Sequence, residues 1–185
     1  MMTPLPADAE TLFARLRDSL QQALAARAGD GAGDDPPGGG GQAPALIGIH
    51  TGGAWLAARL HAELGLDAPL GFLSSAFYRD DVQARGLSAR MQPTRIDFDV
   101  AGRDIVLVDD ILHTGRTIRA ALNEIFDYGR PARVRLAVLI DRGGRELPVQ
   151  PDHVGAVLVL QANEKLALSQ RTNGAFELRV ESIQD

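Results

Sequence analysis

Two aspartates stand side by side in this chain, Asp109 and Asp110, and a short run of hydroxyls and glycine follows them, Thr114-Gly115-Arg116-Thr117. Carboxylates only accept hydrogen bonds, so the acidic pair suits sugar hydroxyls or a hydrated Mg²⁺ and would repel a phosphate. The hydroxyl run has the opposite character. If it opens a helix, its backbone N–H groups lack partners within the helix, and the helix dipole adds partial positive charge there. An anion docks at such a place, with the Thr114 and Thr117 hydroxyls as further donors. Phosphate on one side and diol or metal on the other describes a ribose 5-phosphate that carries a leaving group. No GxxxxGK[ST] occurs in the chain, so the run is not a P-loop.

The flanking residues predict the elements that position this chemistry. Ile105-Val106-Leu107-Val108 is an apolar, mostly β-branched run that suits a strand buried on both faces. Ile118, Leu122, Ile125 and Phe126 recur at helical spacing after the hydroxyl run, and Gly129 with Pro131 predicts the helix end. In an open α/β sheet, ligands sit at the carboxyl ends of the strands, where the acidic pair falls. Leu46 to Ile49 predicts another buried strand. It turns through His50-Thr51-Gly52-Gly53 into a helix carrying Leu56, Leu60 and Leu64. The two glycines are expected to allow unusual backbone angles and close approach to a ligand.

Further strands are expected at Gly71–Phe77, at Arg133–Ile140 and at Val154–Leu160. Ile96, Phe98 and Val100 alternate with Asp97 and Asp99, the pattern of a half-buried strand. Between them, residues 82–93 read as an irregular, polar, glycine-containing loop, the kind expected to cover an active site. Lys165–Leu168 and Ala175–Val180, joined through Thr172-Asn173-Gly174, predict a terminal hairpin.

Near the start, Leu12, Phe13, Leu16, Leu20 and Leu24 predict an amphipathic helix over about Ala7–Arg27, with Arg15, Arg17 and Arg27 among its polar residues. It reads either as a helix docked on the sheet or as part of an RNA-binding surface. The glycine- and proline-rich stretch from Gly29 to Pro44 reads as a flexible linker. The organisation expected is therefore an N-terminal helix (1–28), a linker (29–44) and one catalytic domain (45–185).

Composition narrows the classes. The 185 residues suffice for one domain with a sizeable core, and the absence of cysteine excludes disulfides and thiolate zinc sites. No basic and apolar leader opens the chain and no run is long enough to span a membrane, so a cytoplasmic protein without a membrane partner is expected. A formal net charge of −5 argues against nucleic-acid binding over the whole surface, leaving room for a local basic face.

The run V-D-D-I-L-H-T-G-R-T resembles the phosphoribosyl pyrophosphate (PRPP) signature of type I phosphoribosyltransferases. Its continuation R-A-A-L-N-E-I-F-D-Y-G-R-P and the later D-R-G-G-R-E-L-P resemble the PyrR type, the bifunctional pyrimidine operon regulators and uracil phosphoribosyltransferases. The resemblance implies an α/β fold with a mainly parallel central sheet flanked by helices, a small hood and a C-terminal hairpin. It implies conversion of uracil and PRPP to UMP and pyrophosphate, with Mg²⁺ carried on PRPP.

By the same resemblance, Asp109, Asp110, His113, Thr114, Gly115, Arg116 and Thr117 hold PRPP, the two aspartates being catalytic together with Arg79. Arg79 opens a loop that would meet pyrophosphate, with Arg85 and Arg90 as weaker candidates. His50, Thr51, Gly52 and Gly53 correspond to the pyrophosphate loop. Relatives often read K-T-R-G there, so a cation that could meet pyrophosphate is missing. Asp141 and Arg142 border the uracil pocket, and Gly144 stands where RNA-regulating relatives often have histidine.

Three functions stay open on the sequence: the uracil enzyme, a transferase for another base, and a regulator that binds pyrimidine-operon mRNA with UMP and PRPP as signals. For the regulator, Arg15, Arg142 and Arg145 are candidate RNA contacts, supported by Arg130, Arg133 and Arg135. Self-association into a dimer or larger homo-oligomer is also implied.

Overall fold

The computed structural model describes residues 2–29, 43–74 and 92–183. Its elements follow in the order α1 (Ala9–Gly29), β1 (Ala45–Ile49), α2 (Gly52–Glu63), β2 (Leu70–Leu73), β3 (Asp104–Leu112), α3 (Arg116–Tyr128), β4 (Arg133–Asp141), β5 (His153–Val157), β6 (Glu164–Gln170) and β7 (Phe176–Ser182). Strands β1 to β5 form one parallel sheet in the order β2-β1-β3-β4-β5, while β6 and β7 make a separate antiparallel hairpin. Strand β3 lies at the centre, paired with β1 on one side and β4 on the other.

The apolar run of β3 explains that position. Its side chains alternate between the two faces, and both faces are covered. Val106 and Val108 join Leu12, Phe13, Leu16 and Leu20 of α1 and Leu56 and Leu60 of α2 in one core. Ile105 and Leu107 join Ile118, Ala121 and Ile125 of α3 in the other. The first helix thus packs into the same core as the sheet. The hairpin closes this core through Leu166, Phe176 and Leu178, with the Phe13 and Phe176 rings 5.4 Å apart.

Glycine lets the helices come this close. A Cβ at Gly155 of β5 would lie 2.6 Å from the Leu139 carbonyl oxygen and 2.8 Å from that of Leu12 in α1. At Gly48 of β1 it would meet Gly53 O at 2.6 Å, and at Gly53 it would meet Val108 O at 2.4 Å. The first turn of α2 therefore rests directly on the backbones of β1 and β3.

Several expectations change. Residues 96–100 are not a strand. Only Arg95 bridges the sheet, antiparallel to Phe72. Beyond it the short acidic side chains engage local groups, Asp97 pairing with Arg95 and Asp99 accepting the Ala101 N–H, which competes with a ladder. The alternation reflects Ile96 and Val100 plugging the core below α3.

Phe126 was expected on the buried face of its helix but is 54% exposed. It lies one residue past Ile125, a rotation of about 100°, which carries it off the stripe that faces the sheet. β5 ends at Val157, not Leu160, and Val157 and Val159 are exposed. Arg79, Arg85 and Arg90, the predicted covering loop up to Met91, most of the predicted linker, and residues 75–77 of the expected second strand lie outside the described residues.

Two stability predictions follow from these contacts. Leu16 is fully buried, so Leu16→Ala should lower the unfolding free energy of the whole domain by about 2–5 kcal/mol in a denaturant titration. An unchanged midpoint would mean that α1 is not part of the core. Gly53→Ala forces a backbone shift and should cost about 1–3 kcal/mol by the same method. Wild-type stability in that variant would show that α2 does not rest on the Val108 carbonyl.

Candidate active site

Strand β3 runs through the acidic pair and ends at Leu112, so the pair is built into the sheet and does not hang from a loop. Asp109 is buried and Asp110 half-buried. Asp109 Oδ1 accepts the Asp110 N–H at 3.0 Å, and Asp110 Oδ1 accepts the Ile111 N–H at 2.9 Å. These short-range bonds fix one oxygen of each carboxylate and set the direction of the side chains.

Helix α3 opens right after β3. Gly115 takes a left-handed backbone at φ 89°, which permits the sharp turn from Thr114 into Arg116. Gly115, the residue before the helix, offers no side-chain cap; the Arg116 N–H donates instead to Thr114 Oγ1 at a long 3.3 Å. The turn of α2 sits beside it. Thr51 precedes that helix, also without a side-chain cap hydrogen bond, and the His50–Thr51 peptide is cis. The His50 N–H donates to Leu73 O at 2.8 Å, which anchors the turn to β2.

The glycines of the turn act differently from the expectation. Neither Gly52 nor Gly53 has a positive φ; both lie within the helix. What they supply is room. A Cβ at Gly52 would lie 2.3 Å from Asp110 Oδ2, so the missing side chain leaves space for the carboxylate. The start of α2 and the acidic pair are thereby in contact. Burial pushes the His50 imidazole below its ordinary titration range, so it stays neutral at pH 7. A neutral ring contributes no fixed cation toward pyrophosphate. Instead, the turn offers the positive end of the α2 dipole.

The fourth side of the site is the segment after β4. Glu146 N–H and Leu147 N–H both donate to Thr114 O, at 3.0 and 3.1 Å. Arg116 pairs with Glu146 at 2.6 Å, both side chains being about half exposed, so its guanidinium is directed at this segment. Arg142 donates to Glu164 O at 3.4 Å, and Arg145 bonds to Asp141 Oδ2 at 2.6 Å. Burial alone would push the Asp141 carboxyl up, but the Arg145 guanidinium and the Gly143 N–H outweigh it and hold it below the usual carboxylate range. Gly144 lies against His113, whose Nε2 would be 2.7 Å from a Cβ there. Where relatives were expected to carry histidine at this place, His113 fills the space.

The structure thus brings together Asp109, Asp110, His113 to Thr117, the His50–Gly53 turn and the start of the Asp141 segment. Arg15 lies exposed on α1. Sequence reading did not find the Gly52–Asp110 contact or the bonds from residues 145–147 to the hydroxyl loop. Both join residues distant in the chain, and neither leaves a periodic signal. A groove of about 720 Å³ opens beside His50 and Thr51, lined also by Trp55, Arg59, Phe72 and Gln92; it does not reach the acidic pair or the hydroxyl loop.

Comparison with known proteins agrees with this geometry. Residues 22–164 match the family model described as phosphoribosyl transferase domain. The bifunctional protein PyrR of Ralstonia nicotianae is 49% identical over 174 residues, covering 94% of this chain and 92% of that one. The bifunctional protein PyrR of Pseudomonas aeruginosa is 44% identical over 180 residues, 97% of each chain. Among solved structures, a hypoxanthine-guanine phosphoribosyltransferase of Bacillus anthracis superposes with a TM-score of 0.59 at 18% identity, covering 90% of this chain and 85% of that one. The hypoxanthine phosphoribosyltransferase of Trypanosoma cruzi gives 0.57 at 19% identity, with 89% and 83% covered. These two likenesses establish the fold. The parallel sheet, its acid-bearing central strand and the relatives at 44–52% identity lead to one conclusion: this chain belongs to the PyrR family of phosphoribosyltransferase-domain proteins.

Proposed function

We propose that this protein transfers the ribose 5-phosphate of PRPP to uracil, yielding UMP and pyrophosphate. The observation that carries the reading is the meeting, at one end of the sheet, of two helix N-termini with a carboxylate pair between them. The N-terminus of α3, with Thr114 and Thr117, binds the 5-phosphate. Asp109 and Asp110 accept the ribose hydroxyls and hold the sugar in register. The N-terminal turn of α2 faces the departing pyrophosphate. As the bond at C1 breaks, positive charge develops on the ribose and negative charge on the leaving group. The carboxylates lie on the side of the first and the α2 dipole on the side of the second. Catalysis is then mainly positioning and fixed electrostatics.

The donor set also fits magnesium carried by the substrate. Among the described residues no group of three or more His, Asp or Glu could cage a metal by itself. Mg²⁺ keeps several waters and commonly takes only one or two protein carboxylates beside substrate phosphates, which Asp109 and Asp110 can provide. When bound it would neutralise charge on the pyrophosphate. The Asp141–Arg142 segment is assigned to the uracil, whose two carbonyls and one N–H can be read by main-chain groups.

The family name of the relatives, bifunctional protein PyrR, supports a second activity. We assign it to pyrimidine-operon mRNA, with UMP and PRPP as the signals. Arg15 on the exposed side of α1 is the candidate contact left facing solvent, whereas Arg142 and Arg145 donate to groups within the chain. Action in the cytoplasm and as a homo-oligomer completes the reading.

The enzyme assignment is tested with Asp110→Asn, which keeps side-chain size and removes the charge. UMP formation from uracil, PRPP and Mg²⁺ should fall by roughly a hundredfold or more, with an unchanged melting temperature. Near-native turnover would refute the role of Asp110.

A further inference from the structure

Arg145 makes more hydrogen bonds than a surface cation needs. Its side chain is only 17% exposed, although it sits in a loop. Nη2 donates to Asp141 Oδ2 at 2.6 Å, Nη1 donates to His113 O at 2.9 Å and to Leu112 O at 3.5 Å, and Nε donates to Val149 O at 2.9 Å. One planar group thus joins the end of β4, the end of β3, the loop that precedes α3, and the far end of its own segment. The two neighbouring residues extend the seam, because Glu146 N–H and Leu147 N–H both reach Thr114 O. Gly115 packs on the same segment. A Cβ there would lie 3.3 Å from Val149 Cγ2 and 3.4 Å from Leu147 Cβ.

The consequence is directional. The carbonyls of Leu112, His113 and Thr114 are consecutive, and all three accept hydrogen bonds from the segment containing Arg145. In a trans peptide the N–H of the next residue points opposite to the carbonyl. Holding three carbonyls toward this segment therefore turns the N–H groups of His113, Thr114 and Gly115 the other way. A run of N–H groups turned to one side is a concave anion site.

We infer that Arg145 is a positioning residue for PRPP. It never touches the substrate; its guanidinium holds the His113 carbonyl between those of Leu112 and Thr114, which the Arg142, Glu146 and Leu147 amides hold, so that the N–H side is preset for the 5-phosphate. This inference rests on the phosphoribosyltransferase reading above and replaces the expectation that Arg145 contacts RNA. Charge alone does not suffice for the task. A lysine ammonium is a compact point donor, whereas the guanidinium serves its acceptors in a fixed plane.

The test compares wild type with Arg145→Gln and Arg145→Lys. Two readouts are used: steady-state kinetics with uracil and PRPP, and hydrogen–deuterium exchange of the ligand-free proteins. Both variants should raise KM for PRPP roughly ten- to hundredfold, the range expected for lost charge-assisted hydrogen bonds. Within about threefold, kcat should be unchanged, because the carboxylates of β3 stay in place; Arg145 also pairs with Asp141, so the KM for uracil rises less than that for PRPP. Exchange of the Arg142, Glu146 and Leu147 amides, which donate to Leu112 O and Thr114 O, should quicken while that of β1 stays as in wild type. Since Arg145→Lys keeps the charge, it guards against a glutamine variant that folds poorly.

A lysine variant with wild-type KM for PRPP would overturn the inference, as would unchanged exchange at the Arg142, Glu146 and Leu147 amides in both variants. Loss of RNA retention with an unaltered KM for PRPP would overturn it too, returning Arg145 to the RNA surface. If the wild type neither binds nor turns over PRPP, the functional reading fails first and the inference falls with it. The wild-type control separates that case from the others.

Discussion

The first turn of α2 lies in backbone contact with the carboxyl end of β3, and the rest of the site depends on that contact. A side chain at Gly53 would occupy the Val108 carbonyl, and one at Gly52 would occupy the Asp110 carboxylate. Without those atoms, the positive end of one helix dipole rests beside two negative side chains while α3 opens its own N-terminus a few residues further along. The start of α2 rests on the main chain of β1 and β3, and the loop into α3 is tied to residues 145–147. A substrate with a phosphate at each end and a diol between them matches this order of charges.

Holding that contact requires a stiff support. Strand β3 supplies it because both of its faces are packed and both of its edges are paired. The first helix and the hairpin reinforce the side that carries α2. Arg59 of α2 stacks over Phe13 at 4.4 Å and over Phe176 at 5.1 Å, and it bonds to Glu10 of α1. Glu10 in turn accepts the Phe176 N–H at 2.7 Å. At the other end of β3, the buried Asp104 pairs with Arg27 from the last turn of α1 and with Arg135 of β4. A buried charge is costly without partners, so these pairs fix where α1 ends relative to the sheet. The N-terminal helix is in this way bound to the catalytic domain by its core residues at one end and by ions at the other.

Much of this could be read from single residues. The apolar run 105–108 and the helical spacing after the hydroxyl loop identified the strand and the helix, because each reflects local chemistry with a short period. The hairpin was legible for the same reason, from its two runs and the Thr172-Asn173-Gly174 turn. The failures share a cause. Ile96 to Val100 alternates as a strand does, yet β2 offers it a partner only at Arg95, and strand formation is a property of pairs. Gly52 and Gly53 were expected to take unusual backbone angles and to let a ligand approach; neither takes a positive φ, and what approaches them is β3 itself, which only its position reveals. Arg145 was grouped with surface arginines because a sequence carries no record of four acceptors contributed by four separate positions.

The central claim is that the N-terminus of α3 holds the 5-phosphate while Asp109 and Asp110 hold the ribose. The most direct measurement is a crystal structure of the protein with PRPP and Mg²⁺. The account predicts the 5-phosphate oxygens at about 2.7–3.2 Å from amides and hydroxyls of residues 114–117, with ribose hydroxyls at the two carboxylates. A 5-phosphate bound at the His50–Gly53 turn, or a ribose without contact to either aspartate, would contradict it.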